Sequence, residues 1–215
     1  QIVADSVVVS VLNNAGPFMV TSQVTPETYL GGSVQEIRWD VANTDTAPIN
    51  VSTVDVLLST DGGLSFPIML GDDLPNSGVA NVQLPNMASD VNDAQIMVKA
   101  NNNIFLAVNA SPFTIQSVSF SMVLDNTEYE VCQPNALTIP FLYDSVNAFT
   151  EEVTFSANVP SGLDATFSIG STSTDETAIG LQLTNTGNLS VGTYPIEIIG
   201  TSASETNSTS VELKV

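Results

Sequence analysis

The sequence contains no histidine, a single cysteine (Cys132) and only three basic residues, Arg38, Lys99 and Lys214. Each shortage excludes a chemistry. Without histidine the chain cannot build Ser-His-Asp or Cys-His nucleophilic catalysis. One cysteine gives neither an intrachain disulfide nor a multi-Cys zinc site. Cys132 itself reads as a small buried hydrophobe on a strand. Asp and Glu together number 23, which makes the formal net charge -20. Such a surface repels phosphate backbones and anionic lipid headgroups, so nucleic acid and membrane surfaces are excluded as partners. It suits hydration, divalent cations or a salty medium.

Long apolar runs are also missing. None approaches the roughly 18 residues needed to cross a bilayer, and no membrane insertion is expected. The sequence opens at Gln1 with no basic-then-apolar leader, so it reads as a fragment whose signal peptide has been removed or lies elsewhere. Helical periodicity of any length is absent as well. What remains is 215 residues, 43% of them hydrophobic, enough for one large or two ordinary cores.

Period-two alternation recurs almost everywhere. The clearest stretch is Val54 to Phe66, an alternating strand, an Asp61-Gly62-Gly63 turn and a return strand opening on an aromatic. Asp-Gly between two apolar runs is a strong hairpin signal because the turn needs residues that tolerate positive φ. Before it, Ser6–Leu12 and Phe18–Thr21 read as strands, and Val34–Asp40 alternates cleanly with Ile37 and Trp39 inward. Trp39 is therefore expected to be a core anchor. After it come a polar turn over Asp72–Gly78, a strand over Val79–Leu84, a loop over Pro85–Asp93, and strands around Ile96–Ala100, Ile104–Val108 and Phe113–Ile115. A second series begins near Ser117, with strands at Val118–Leu124, Tyr129–Cys132, Leu137–Tyr143, Val153–Ala157, Phe167–Ile169, Ile179–Leu183, Tyr194–Ile198 and Val211–Val215. Short strands at this spacing predict an all-β chain of two tandem immunoglobulin/fibronectin-III-like β-sandwich domains, 1–116 and 117–215. Whether residues 1–12 belong to the first domain stays open. The join carries no Pro- or Gly-rich linker, so the domains should sit end to end with little slack.

Ser59-Thr60-Asp61-Gly62-Gly63-Leu64-Ser65-Phe66 resembles the Asp-box, Ser-x-Asp-x-Gly-x-Ser/Thr-aromatic, a structural hairpin of sialidase-like propellers. One copy without a blade repeat argues against a propeller here. A broader likeness runs through Gly16–Ser22, the strand around Trp39, Ala47–Val51, the Asp-box stretch and Ala94–Ala100. Together these resemble an Ig-like module that follows reprolysin-like zinc metallopeptidase domains in secreted Bacteroidetes proteins. Residues 118–215, with Val131-Cys132 before Pro134 and Gly192-Thr193-Tyr194-Pro195-Ile196, are similar to the fibronectin-III/Ig-like repeat that often comes next. The resemblance implies a non-catalytic accessory region of a secreted or cell-surface hydrolase, used for spacing, adhesion or substrate positioning. The metallopeptidase His-Glu-x-x-His helix has no counterpart in a chain without histidine.

Few residues offer site chemistry. The carboxylate pairs Asp72/Asp73, Asp90/Asp93 and Glu151/Glu152 read as solvated loop acids, since nothing beside them would raise a pKa for glycosidase work. For calcium, Asp72, Asp73, Asp90 and Asp93 are the candidates, in Gly- or Asn-rich loops without EF-hand spacing. Asp5-Ser6-Val7, Asp45-Thr46-Ala47 and Asp144-Ser145-Val146 fit the O-glycosylation triplet of the suggested bacterial group, and Asn50, Asn109, Asn188 and Asn207 head Asn-x-Ser/Thr triplets. Carbohydrate binding would need exposed aromatics on one face, for which Tyr29, Tyr129 and Tyr143 are the candidates, yet aromatics are only 7% of the chain. The leading expectation is thus a monomeric, extracellular accessory region whose partners are other domains of its parent and an extracellular polymer or protein. A carbohydrate- or polymer-binding module and a calcium-stabilised adhesin repeat are the alternatives.

Overall fold

The computed structural model describes residues 12–215. The strand expected over Ser6–Leu12 lies outside them except for its last residue. The first part of the chain forms β1 (Met19–Val20), β2 (Thr28–Leu30), β3 (Val34–Asp40), β4 (Thr53–Ser59), β5 (Ile68–Pro75), β6 (Val79–Gln83), β7 (Val91–Ala100), β8 (Leu106–Val108) and β9 (Phe113–Gln116). These strands make two sheets, β1-β3-β6 and β2-β9-β7-β4-β5, with β8 also paired to β7. In immunoglobulin lettering the orders are A-B-E and G-F-C-C′, with β2 beside G. Inward side chains from both sheets meet in one core, among them Ile37, Trp39, Val54, Val56, Leu58, Val82, Ile96, Val98, Phe113 and Ile115.

The second part forms β10 (Phe120–Leu124), β11 (Glu128–Glu130), β12 (Leu137–Ser145), β13 (Val153–Asn158), β14 (Asp164–Phe167), β15 (Ser171–Thr172), β16 (Thr177–Thr184), β17 (Thr193–Thr201) and β18 (Thr206–Lys214). The sheet orders are β10-β12-β16-β14, the A-B-E-D arrangement, and β11-β18-β17-β13-β15. Its separate core carries Phe120, Met122, Ile139, Phe141, Tyr143, Phe155, Leu181, Ile196, Ile198 and Leu213. The fold is therefore an all-β, immunoglobulin-like pair of sandwiches, as alternation predicted.

Trp39 is buried, 4% exposed, and its indole N–H donates to Asn76 Oδ1 at 2.9 Å. Three expectations need correction. The Asp-Gly hairpin is wider than a two-residue turn: pairing resumes at Leu58↔Ile68, so Phe66 precedes the return strand. The polar side chains close a longer loop instead, with Ser59 Oγ accepting from the Gly63 amide at 2.9 Å. Asp72 and Asp73 lie within β5 rather than in a turn, because β5 is an edge strand and tolerates outward acids at a register shift. Cys132 is exposed, not buried. Strand β11 ends at Glu130, Val131 turns inward with its amide donating to Lys214 O, and alternation sends Cys132 out.

Candidate functional site between the two sandwiches

Strand β10 ends its sheet, so its outer edge presents unpaired backbone groups. Side-chain amides take the place of a neighbouring strand. Asn86 makes a reciprocal pair with Val118, its Nδ2 donating to Val118 O at 3.0 Å and its Oδ1 accepting from Val118 N at 3.1 Å. Gln83 repeats the arrangement four residues on: Nε2 donates to Met122 O at 2.7 Å and Oε1 accepts from Leu124 N at 2.8 Å. Between them, Asn207 Nδ2 donates to Phe120 O at 3.0 Å from within the second sandwich. Gln83 and Asn86 thus each imitate a peptide group, with one donor and one acceptor in the spacing a strand would supply, while Asn207 adds a donor alone.

Neighbouring contacts extend the junction. Gln83 Nε2 also donates to Gly32 O at 2.7 Å, and Thr127 Oγ1 donates to Asn81 O at 3.0 Å. Asp90 Oδ1 accepts from Ser117 N at 2.9 Å, and Asn147 Nδ2 donates to Ala88 O at 3.0 Å. Gly32 has φ +78°, and a Cβ there would stand 2.5 Å from Ser121 Cβ, so only glycine permits this approach. Neither Gln83 nor Asn86 was singled out by the sequence. Both lie in ordinary polar positions, and no spacing rule marks a side-chain amide that will face another sheet's edge.

The four calcium candidates fall at three places. Asp72 is exposed on β5, and Asp73 follows it with φ +50°. Asp73 Oδ1 accepts from Asn101 Nδ2 at 2.7 Å and from Thr53 Oγ1 at 3.2 Å. Asp90 belongs to the junction just described. Asp93 lies on β7 beside the Asp-box loop, where its backbone carbonyl accepts from Gly62 N at 3.2 Å. Among the described residues no three acidic side chains gather as an ion-holding group. Glu151 and Glu152 hold serines instead: Glu151 Oε2 accepts from Ser204 N and Oγ, and Glu152 Oε1 from Ser171 Oγ.

The aromatic candidates are equally scattered. Tyr143 is fully buried, while half-buried Tyr29 packs edge-on against Phe113 at 5.5 Å in the other sandwich. Half-buried Tyr129 packs against the second core. Of the Asn-x-Ser/Thr asparagines, Asn109 and Asn207 are buried, and Asn109 Oδ1 accepts from Ile96 N at 2.7 Å. The strongest electrostatic feature is Asp61, whose pKa is lowered to about 2 by hydrogen bonds, first from Ser65 and then from Ser59. It is a locked loop, not a reactive group.

No family model matches the chain, and no curated protein matches it. Solved structures do. The chain is similar to E. coli alpha-2-macroglobulin at 8% identity and a TM-score of 0.39, over 91% of this chain and 17% of that one. It is similar to the N-terminal eight Ig domains of Down Syndrome Cell Adhesion Molecule at 10% identity and a TM-score of 0.30, over 91% and 26%. Domains 1–6 of the surface layer protein SbsC give 13% identity and a TM-score of 0.31, over 83% and 22%. The chain thus spans about a quarter or less of the length of each of these structures. At these scores the likeness bears on no residue and no activity, and the fold is read from the strand pairing itself.

Proposed function

We propose that residues 1–116 and 117–215 are two tandem domains of a non-catalytic accessory region in a secreted, multidomain protein. The parent favoured by the sequence resemblance is a metallopeptidase. The region spaces and positions what it joins, and it acts outside the cell as a monomer. The observation that carries this reading is the amide-paired junction. Gln83 and Asn86 bind four backbone groups, two on β10 and two on Val118 just before it, so bending the pair would leave those groups unsatisfied. Each such bond is worth roughly 1 kcal/mol net, but an unmade one on a buried group costs about 1–3 kcal/mol.

Interdomain residual dipolar couplings test the reading. The native chain should show one shared alignment for both domains. Gln83→Ala with Asn86→Ala should split it into two, with both domains still folded. Independent alignment in the native chain would rule out a fixed spacer. The calcium-stabilised adhesin reading draws on one observation: Asp55 Oδ1 and Asp73 Oδ1 both face Asn101 Nδ2, at 2.8 and 2.7 Å. Thermal unfolding after EDTA treatment, with and without millimolar calcium, decides it. A rise of many degrees specific to calcium supports that reading, since a ligand of the folded state raises the midpoint by mass action. No shift leaves the acidic surface as solvation and the spacer reading standing.

A further inference from the structure

The two sandwiches differ at one edge. In the second, β14 fills the D position beside β16, and its Phe167 packs edge-on against Phe141 at 6.2 Å. In the first, among the described residues, no strand fills that place: β6 ends one sheet and β5 ends the other. The two are joined by the Asn76–Gly78 turn and run away from it together. At the far end of this seam a cavity of about 470 Å³ opens, closed off by residues 123–127 of the second sandwich.

Three features of the seam point to one kind of occupant. Ile68, Leu70 and Leu74 lie half-buried against the core, which leaves apolar surface facing the opening. Over Ile68–Leu70, nothing among the described residues pairs with the outer edge of β5. The rim carries the exposed carboxylates of Asp72 and Asp125, and no basic residue lines the cavity. A second copy would bring its own charge of -20 and set Asp72 and Asp73 against their like. A cationic strand meets no such penalty.

We propose that this seam docks an extended, basic segment of another polypeptide. The segment adds as a strand to the outer edge of β5, backbone to backbone. Alternate apolar side chains enter against Ile68, Leu70 and Leu74, and lysine or arginine side chains lie beside Asp72 and Asp125. This site is additional to the spacer role, and its failure leaves the dipolar-coupling result unaffected.

Fluorescence anisotropy with a short labelled peptide of alternating lysine and valine tests it. Saturable binding should survive about 150 mM salt, where exposed charges more than about 8 Å apart are largely screened. Asp72→Lys with Asp125→Lys should weaken binding about tenfold or more, whereas Asp45→Lys with Glu176→Lys, the same charge change elsewhere, should change it less than about twofold. N-methylating one alternate set of the peptide's backbone amides should abolish binding and the other set should spare it, because only one set faces β5. Equal losses from the two charge-reversed pairs, or equal effects of the two methylated sets, overturn the proposal as plain charge attraction. A concentration-dependent dimer that Asp72→Lys with Asp125→Lys dissolves assigns the seam to a second copy and overturns it too.

Discussion

Asn76 shows how much one buried polar side chain can organise. It is 6% exposed and makes three hydrogen bonds indoors: Oδ1 accepts from Trp39 Nε1, while Nδ2 donates to Thr44 Oγ1 and Val51 O, both at 3.1 Å. Replacing it with alanine strands an indole N–H and a carbonyl in the core. Each costs about 1–3 kcal/mol, so Asn76→Ala should lose about 2–6 kcal/mol with an unchanged denaturant slope. Guanidinium unfolding followed by Trp39, the only tryptophan, measures this for the first sandwich directly. Trp39 was legible in the sequence because alternation alone places it inward. Asn76 was not, since it sits in a run of turn-forming residues and only the packing of Trp39 above it makes it a core residue. Cys132 fails for the opposite reason: its burial was argued from residue type, and the phase of the preceding strand decided otherwise.

Among the elements, the β4–β5 connection carries the sharpest electrostatic signature. Ser65 N and Ser59 Oγ both donate to Asp61 Oδ1, at 2.9 and 2.7 Å, and Ser65 Oγ donates to Oδ2 at 2.6 Å. These bonds favour the ionised carboxylate, so its pKa falls from 3.8 to about 2 on folding. A depressed folded-state pKa contributes stability that is fully present above the unfolded value and is lost as pH falls through the folded one. Asp61→Asn keeps the loop's shape and removes the charge. The stability gap between native protein and variant should therefore be constant above about pH 5 and close between pH 4 and 2, as read by urea unfolding at each pH. A gap that does not change with pH would mean the loop depends on shape alone. Gly63 contributes that shape, since with φ +83° a Cβ there would lie 2.4 Å from Gln95 Oε1. The sequence showed this element's chemistry through the Ser-x-Asp-x-Gly-x-Ser order but not its length. The same side-chain bonds that identify the motif also hold the chain open until Ile68. Strand β5 was half hidden for a related reason: adjacent acids and a glycine signal a turn, yet on an edge strand nothing needs to pack against them.

At the scale of the whole molecule, charge and junction act against each other. With 23 acidic and three basic residues, the folded chain holds its carboxylates closer together than the unfolded chain does. Among the described residues only two ion pairs relieve them, Arg38 with Glu36 and Lys214 with Glu128, both on the surface and each worth little. Self-repulsion of this kind weakens the compact state and is screened by salt. The junction, by contrast, is built chiefly from neutral amides and hydroxyls, Gln83, Asn86 and Thr127 among them, with the Asp90 carboxylate beside them, and the neutral bonds depend little on ionic strength. The two contributions can therefore be separated. Raising sodium chloride from about 10 mM to about 150 mM, which shortens the Debye length from roughly 30 Å to 8 Å, should raise the thermal midpoint of the native chain by several degrees. The Gln83→Ala, Asn86→Ala chain should begin from a lower midpoint and rise by the same amount. A larger salt response in the variant would instead mean that the two sandwiches repel each other once the amides are gone. The junction would then be what holds two like-charged bodies together.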